Sequence, residues 1–168
     1  MPLPTAGPVV TVRLGPDGMP VGAAATGRVE HPVAKVWALL SDVERYASFL
    51  PMVHRARRSG DDVTYDLRFR IGFFSVGFHF TARATWQEPE WIELRWVSGE
   101  PAGIRLRFDL VPLDEGRACQ VTGDGEFELQ SLGWLVKYFL KHHPEIQHGI
   151  FPGVALVLLD TVKRALAG

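Results

Sequence analysis

The sequence predicts an α+β fold: a curved antiparallel sheet wrapped around a long C-terminal helix, with two short helices after the first strand of the core. Three observations predict it. The hydrophobic period is helical between His31 and Pro51, drops to two between Val53 and Leu129, and becomes helical again after Ser131. Turn clusters SGDD, EPE, SGEPAG and LDEG divide the middle region into short runs, as in an antiparallel meander. A sheet with one apolar face needs a cover, and the C-terminal segment is the longest element available to provide it.

The elements follow in order. VVTVRL and the stretch from Gly22 to Glu30 flank GPDGMP, whose Asp17-Gly18 pair signals a hairpin turn. An N-terminal hairpin strand is therefore expected over 8–14, and the core of a single domain over 22–167. In HPVAKVWALLSDVERYASFLP, Pro32 suits a first helical position, and Val33, Val36, Trp37 and Leu40 share one face. Asp42 is placed to cap a second short helix carrying Tyr46, Phe49 and Leu50, which Pro51 closes.

About six strands follow. Val63, Tyr65, Leu67, Phe69 and Ile71 alternate with polar residues, as do Phe74, Val76, Phe78, Phe80, Ala82, Ala84 and Trp86. The same pattern holds for Ile92, Leu94 and Trp96, for Ile104, Leu106, Phe108 and Leu110, and for Cys119, Val121, Phe127 and Leu129. Leu132, Leu135, Val136, Phe139 and Leu140 then form one helical stripe. A final helix covers about Pro152 to Ala167, and Pro152 either starts it or lies inside a longer one beginning near Pro144. Gly149 and Gly153 would thin that helix where it faces the sheet. The space between helix and sheet is a candidate apolar ligand pocket.

Composition narrows the function classes. The 168 residues are 46% hydrophobic and 22% charged, which fits one folded domain rather than a disordered chain. A formal net charge of -1 provides no global field for nucleic acid or an anionic membrane. The single cysteine, Cys119, leaves neither an intrachain disulfide nor a cysteine-based zinc site. MPLPTAGPVV does not have the form of a secretory signal, and the apolar stretch Ile146–Leu159 is too short to span a bilayer, so a cytoplasmic protein is expected. Aromatic residues make up 11%, and the alternation puts many of them on one face of the sheet, as a lining.

The order of elements carries a resemblance. Pro32, Val36, Trp37, Leu40 and Asp42, followed by an aromatic residue and then Phe49, Leu50 and Pro51, resemble the START-like helix-grip superfamily over about residues 22–167. That group includes bacterial polyketide cyclase/dehydrase proteins, coenzyme Q-binding proteins, lipid-transfer domains and the birch-pollen-allergen family. The resemblance implies a deep apolar cavity between sheet and C-terminal helix, usually for a lipid, sterol, quinone or polyketide. The segment from Leu132 to His148 is longer than the usual connection and matches no functional motif of the family.

The expected function is binding or transport of a hydrophobic small molecule. From the sheet, Tyr65, Phe69, Phe78, Phe80, Trp96, Phe108 and Phe127 are expected to line the cavity; Phe139, Ile150, Val154 and Leu158 would line the helical side. This requires Arg68, Arg83 and Arg107 to face outward, because a one-residue slip would reverse every side chain. The alternative is a polyketide cyclase/dehydrase-type enzyme with polar groups converging in the cavity, for which Tyr65 is the catalytic candidate. A third reading is a partner-binding module whose own rings fill the space. Cys119 reads as a small buried filler, and His54 and His79 fall on outward or rim positions.

No cofactor or metal is expected. His142, His143, Glu145 and His148 lack the i, i+4 ligand spacing of a helical zinc site, and Pro144 interrupts them. Arg55, Arg57, Arg58, Arg68 and Arg70 form a basic strip, but acids adjoin it and no basic-aromatic interleaving accompanies it, so no nucleic-acid partner is expected. In SLGWLVKYFLKHH, Trp134, Lys137, Tyr138 and Lys141 oppose the apolar stripe. That pairing of rings and cations fits transient contact with a membrane surface; a homodimer contact is the alternative use of the face.

Overall fold

The computed structural model describes residues 7–71, 73–128, 131 and 134–167. Among them are eight strands in one antiparallel sheet, in the order β1-β2-β8-β7-β6-β5-β4-β3. The strands are β1 Val9–Leu14, β2 Pro20–Val29, β3 Val53–Ser59, β4 Asp62–Ile71, β5 Phe74–Gln87, β6 Trp91–Glu100, β7 Arg105–Leu113 and β8 Ala118–Glu126. The helices are α1 Val33–Leu40, α2 Tyr46–Phe49, α3 Trp134–His142 and α4 Pro144–Ala167. This is the curved sheet with a C-terminal helix that the period changes predict.

Local chemistry sets each element. Gly18 takes φ of 78° at the β1–β2 turn, and the Met19 N–H donates to Asp17 Oδ1 at 3.0 Å, so Asp-Gly closes the hairpin as expected. Val36, Trp37, Leu39 and Leu40 form the buried face of α1. Pro32 stands one position before that helix, not at its first residue. Asp42 precedes a 3-10 turn, Val43–Arg45, and makes no side-chain cap bond, so the expected cap is not formed. The Tyr46 hydroxyl instead donates to Leu40 O at 2.6 Å and fastens the second short helix onto the first. Pro152 lies inside α4, the second of the two arrangements left open. Pro144 begins that helix, where its missing N–H has no cost.

The inward face of β2 is built from small residues. Ala23 and Ala25 are buried, and a Cβ at Gly27 would sit 2.8 Å from Leu159 Cδ2 of α4. Their size lets the helix lie close against β2, while rings stand on the inward face of β4 and β5.

The outward face of the sheet carries charge in pairs. Glu93 is 4% exposed on this polar face. It accepts from Arg105 Nε at 3.0 Å and Arg107 Nη1 at 3.4 Å, and also from Arg95. Arg13 grips Asp124 through two bonds of 2.7 Å and reaches Glu126 at 3.0 Å. Burial pushes the Glu93 carboxyl up, but the hydrogen bonds and charges of Arg95 and Arg105 outweigh it and hold the group below its ordinary value. A depressed carboxyl stabilises the fold above its unfolded value near 4.5 and ceases to do so as pH falls through its lower folded value. Thermal denaturation against pH should therefore show an acid-side loss of stability in the wild type. Glu93→Gln should be less stable at neutral pH and show a shallower acid-side loss.

Candidate functional site

A cavity of about 500 Å³ lies between the sheet and α4. That is within the ~300–1,000 Å³ range of small-molecule pockets. Its sheet wall includes Tyr65, Leu67, Phe78, Phe80, Leu94, Ile104, Leu106 and Phe127, and its helix wall Ile150, Phe151, Val154, Ala155 and Leu158. The buried side chains of Tyr46, Leu50 and Val53 close one end. Of the residues bordering the space, Pro51, Arg68, Arg70, Gly153 and Val157 are exposed, which marks where it meets solvent.

Seven of the expected lining residues are brought together here: Tyr65, Phe78, Phe80, Phe127, Ile150, Val154 and Leu158. Three lie elsewhere. Trp96 is 38% exposed, on the stretch of β6 beyond the last residue paired with β7, and its indole N–H donates to Gly99 O at 3.0 Å. A bulge beside it makes Val97 an extra residue and puts Gly99, not a ring, opposite Phe80. Phe108 is fully buried in the core, edge-on to Tyr46 and packed on Gly123. Phe139 packs behind the wall with Leu140, against Phe78, Phe127 and Ile150. The side chain of Phe69 lies outside the described residues. Gly153 borders the cavity, whereas Gly149 is exposed and does not.

Two of the three arginines meet the condition set for the register: Arg83 pairs with Asp62 at 3.0 Å, and Arg107 with Asp109 and Glu93 on the outer face. Arg68 alternates with inward Leu67 along β4 but borders the cavity at its margin. Arg107 also lies over the Trp91 ring at 4.4 Å.

Sequence reasoning favoured rings and so passed over Leu67, Leu94 and Leu106, which share the same inward alternation. It also passed over Tyr46 and Leu50 of the helix pair and Phe151 beside Ile150. Their signals were present: Tyr46 and Leu50 lie on the predicted second helix, and Phe151 adjoins a predicted lining residue.

The two tyrosine hydroxyls, Arg105 and Glu126 of the lining are already engaged. The Tyr65 hydroxyl donates to Val43 O at 2.8 Å, and burial, then the neighbouring Tyr46, raises it far above the usual phenol range. Tyr46 is spent on Leu40 O. Glu126 pairs with Arg13, and Arg105 with Glu93. Cys119 is buried away from the lining, and burial pushes its thiol up. His79 is exposed beside Asp66.

Lys137, Tyr138 and Lys141 of α3 are exposed, opposite buried Phe139 and Leu140. Tyr138 is 60% exposed, and its ring lies 4.4 Å from that of His142. The side chain of Trp134 lies outside the described residues. His143 meets Glu145 at 3.3 Å, and among the described residues no three metal-binding side chains gather at one point. No described helix is long and apolar enough to cross a membrane.

Residues 29–142 match the family described as polyketide cyclase/dehydrase and lipid transport. A comparison with curated proteins finds no significant match. Among solved structures, the Zhui aromatase/cyclase from Streptomyces sp. R1128 is similar at 15% identity and a TM-score of 0.66, over 87% of this chain and 93% of that one. A START superfamily protein from Mycobacterium smegmatis is similar at 18% identity and a TM-score of 0.61, over 88% and 97%. A conserved protein from Geobacillus kaustophilus is similar at 17% identity and a TM-score of 0.66, over 87% and 94%. At these identities the likeness establishes the fold, which is the helix-grip fold.

If Tyr65 serves structure, Tyr65→Phe should leave Val43 O unsatisfied and cost about 1–2 kcal/mol of stability. Denaturant unfolding would measure the loss. Binding of an apolar dye in the cavity should be unchanged, because the removed hydroxyl is turned to the backbone.

Proposed function

The chain belongs to the polyketide cyclase/dehydrase and lipid transport family, and on that premise we propose that it is a carrier or sensor that holds one hydrophobic small molecule between its sheet and α4. Lipid, quinone, sterol and polyketide-like molecules are the ligand classes that this reading admits. The observation that carries it is the cavity: about 500 Å³ of space with walls of rings and aliphatic side chains. A self-filled interaction module would not retain such a volume. Binding is favoured over catalysis because both tyrosine hydroxyls of the lining donate to backbone carbonyls.

The driving force is removal of apolar surface from water. A ligand burying about ten methylenes would gain roughly 8 kcal/mol before the cost of association. Val154 lies on the cavity wall and is half-buried. Val154→Trp should fill the space and weaken binding of the apolar dye Nile red at least tenfold. The melting temperature should stay within a few degrees. Unchanged dye affinity in a folded variant would contradict the proposed site.

The reading extends to α3. Its exposed face of Lys137, Tyr138 and Lys141 suits a bilayer interface, with the ring at headgroup depth and the cations on anionic lipid. Phe139 on its other side packs against Phe78, Phe127 and Ile150, all of which line the cavity. A membrane held by this helix would lie close to the ligand. Lys137→Glu/Lys141→Glu should lower the affinity for phosphatidylglycerol-containing vesicles, read by co-sedimentation, at least about thirtyfold, since each of the two cations near such a surface contributes about 1 kcal/mol. Equal sedimentation of both proteins would remove the membrane from the account.

A further inference from the structure

We propose that the ligand of this cavity is an amphiphile with an anionic head group, held at the cavity opening by Arg68 and Arg70. This rests on the reading of the cavity as a ligand site and narrows the class of ligand.

Among the described residues, four charged side chains border the space: Arg68, Arg70, Arg105 and Glu126. Two of these are neutralised. Arg105 meets Glu93 at 3.0 Å, Asp124 at 3.5 Å and Glu126 at 3.9 Å, and Glu126 also meets Arg13 at 3.0 Å. Arg68 and Arg70 differ. Both are exposed, and among the described residues neither has an ion-pair partner. The acids nearest in sequence on β4 are occupied elsewhere, Asp66 by His79 and Asp62 by Arg83.

Strand geometry explains how outward residues come to border an inner space. Pairing between β3 and β4 starts at Val53 and Leu67. Past that point the Arg68 N–H donates to Met52 O at 2.9 Å, and β4 runs on to Ile71 without a strand on that side. Arg68 and Arg70 therefore stand at a free margin of the sheet, beside Pro51 and Met52, which also border the cavity.

An apolar space whose margin carries two uncompensated guanidinium groups favours one kind of molecule. The chain is removed from water between Leu67, Phe78, Phe80 and Leu158, while the head stays at the margin. A carboxylate or phosphate there accepts paired N–H bonds from guanidinium, which a hydroxyl cannot match and a cation opposes. Both arginines are solvent-exposed, so the preference is moderate and weakens with salt.

The test is displacement of Nile red by four molecules with the same chain: dodecanoate, dodecyl phosphate, dodecanol and dodecyltrimethylammonium. At low salt the two anions should displace the dye at concentrations roughly tenfold below dodecanol, and the cation should be weakest. A lead by dodecanoate would identify a free acid as the natural source of the head, and a lead by dodecyl phosphate a phosphorylated lipid. Arg68→Gln/Arg70→Gln should abolish the preference while leaving the dodecanol value and the melting temperature unchanged. Equal displacement by anion and alcohol in the wild type, or a preference that survives in the glutamine variant, overturns the proposal and leaves the cavity reading intact. If the glutamine variant also loses dodecanol, Arg68→Lys/Arg70→Lys decides: retained anion preference supports the proposal, and its loss overturns it. Failure of Nile red and all four molecules to bind the wild type overturns the cavity reading and this proposal together.

Discussion

The close approach of α4 to β2 is the constraint on which the cavity depends. Gly27 admits Leu159 to a position that any Cβ would crowd, and Ala23 and Ala25 keep the rest of that floor low. The helix packs on β2 and β8. On β4 and β5 the inward residues include Tyr65, Leu67, Phe78 and Phe80, which border the open space. Tyr46 and Leu50 of the short helices close one end, and Tyr46 is held there by its bond to Leu40 O. The cavity thus follows from a gradient of side-chain size across one sheet. Small residues allow contact at one end, and rings line the space at the other.

The outward face serves the same arrangement differently. Its charges are distributed in pairs from Arg13 on β1 to Glu93 on β6, so five adjacent strands present a neutralised polar surface to water. Such a face gives the chain no reason to turn its arginines inward. The inner face is left apolar, and Arg68 and Arg70 at the margin of β4 remain available to a ligand.

Most of the fold was legible because it is written in period. Alternation located the strands from Val63 onward, although the last, read as far as Leu129, ends at Glu126, and Pro32, Trp37 and Leu40 marked the helix pair. Asp17-Gly18 identified the first turn. Less of the site was legible. Trp96 obeys the inward alternation, yet β6 outruns β7 there and a bulge intervenes, and neither is visible in hydrophobicity. Phe108 faces inward as expected, but Tyr46 and Gly123 place it in packed core. Phe139 sits one layer behind the lining because α3 is a separate helix before α4. The small residues of β2 gave no signal as site determinants, because they act through what they allow α4 to do.

The claim at the centre of this account is that the space holds an apolar molecule in the cell. Native mass spectrometry of the protein purified from its own cells under gentle conditions tests it most directly. The account predicts one bound molecule per chain, released by organic solvent and displaced by an excess of an apolar competitor. A spectrum with only the bare chain, under conditions where a known lipid carrier keeps its ligand, would contradict it.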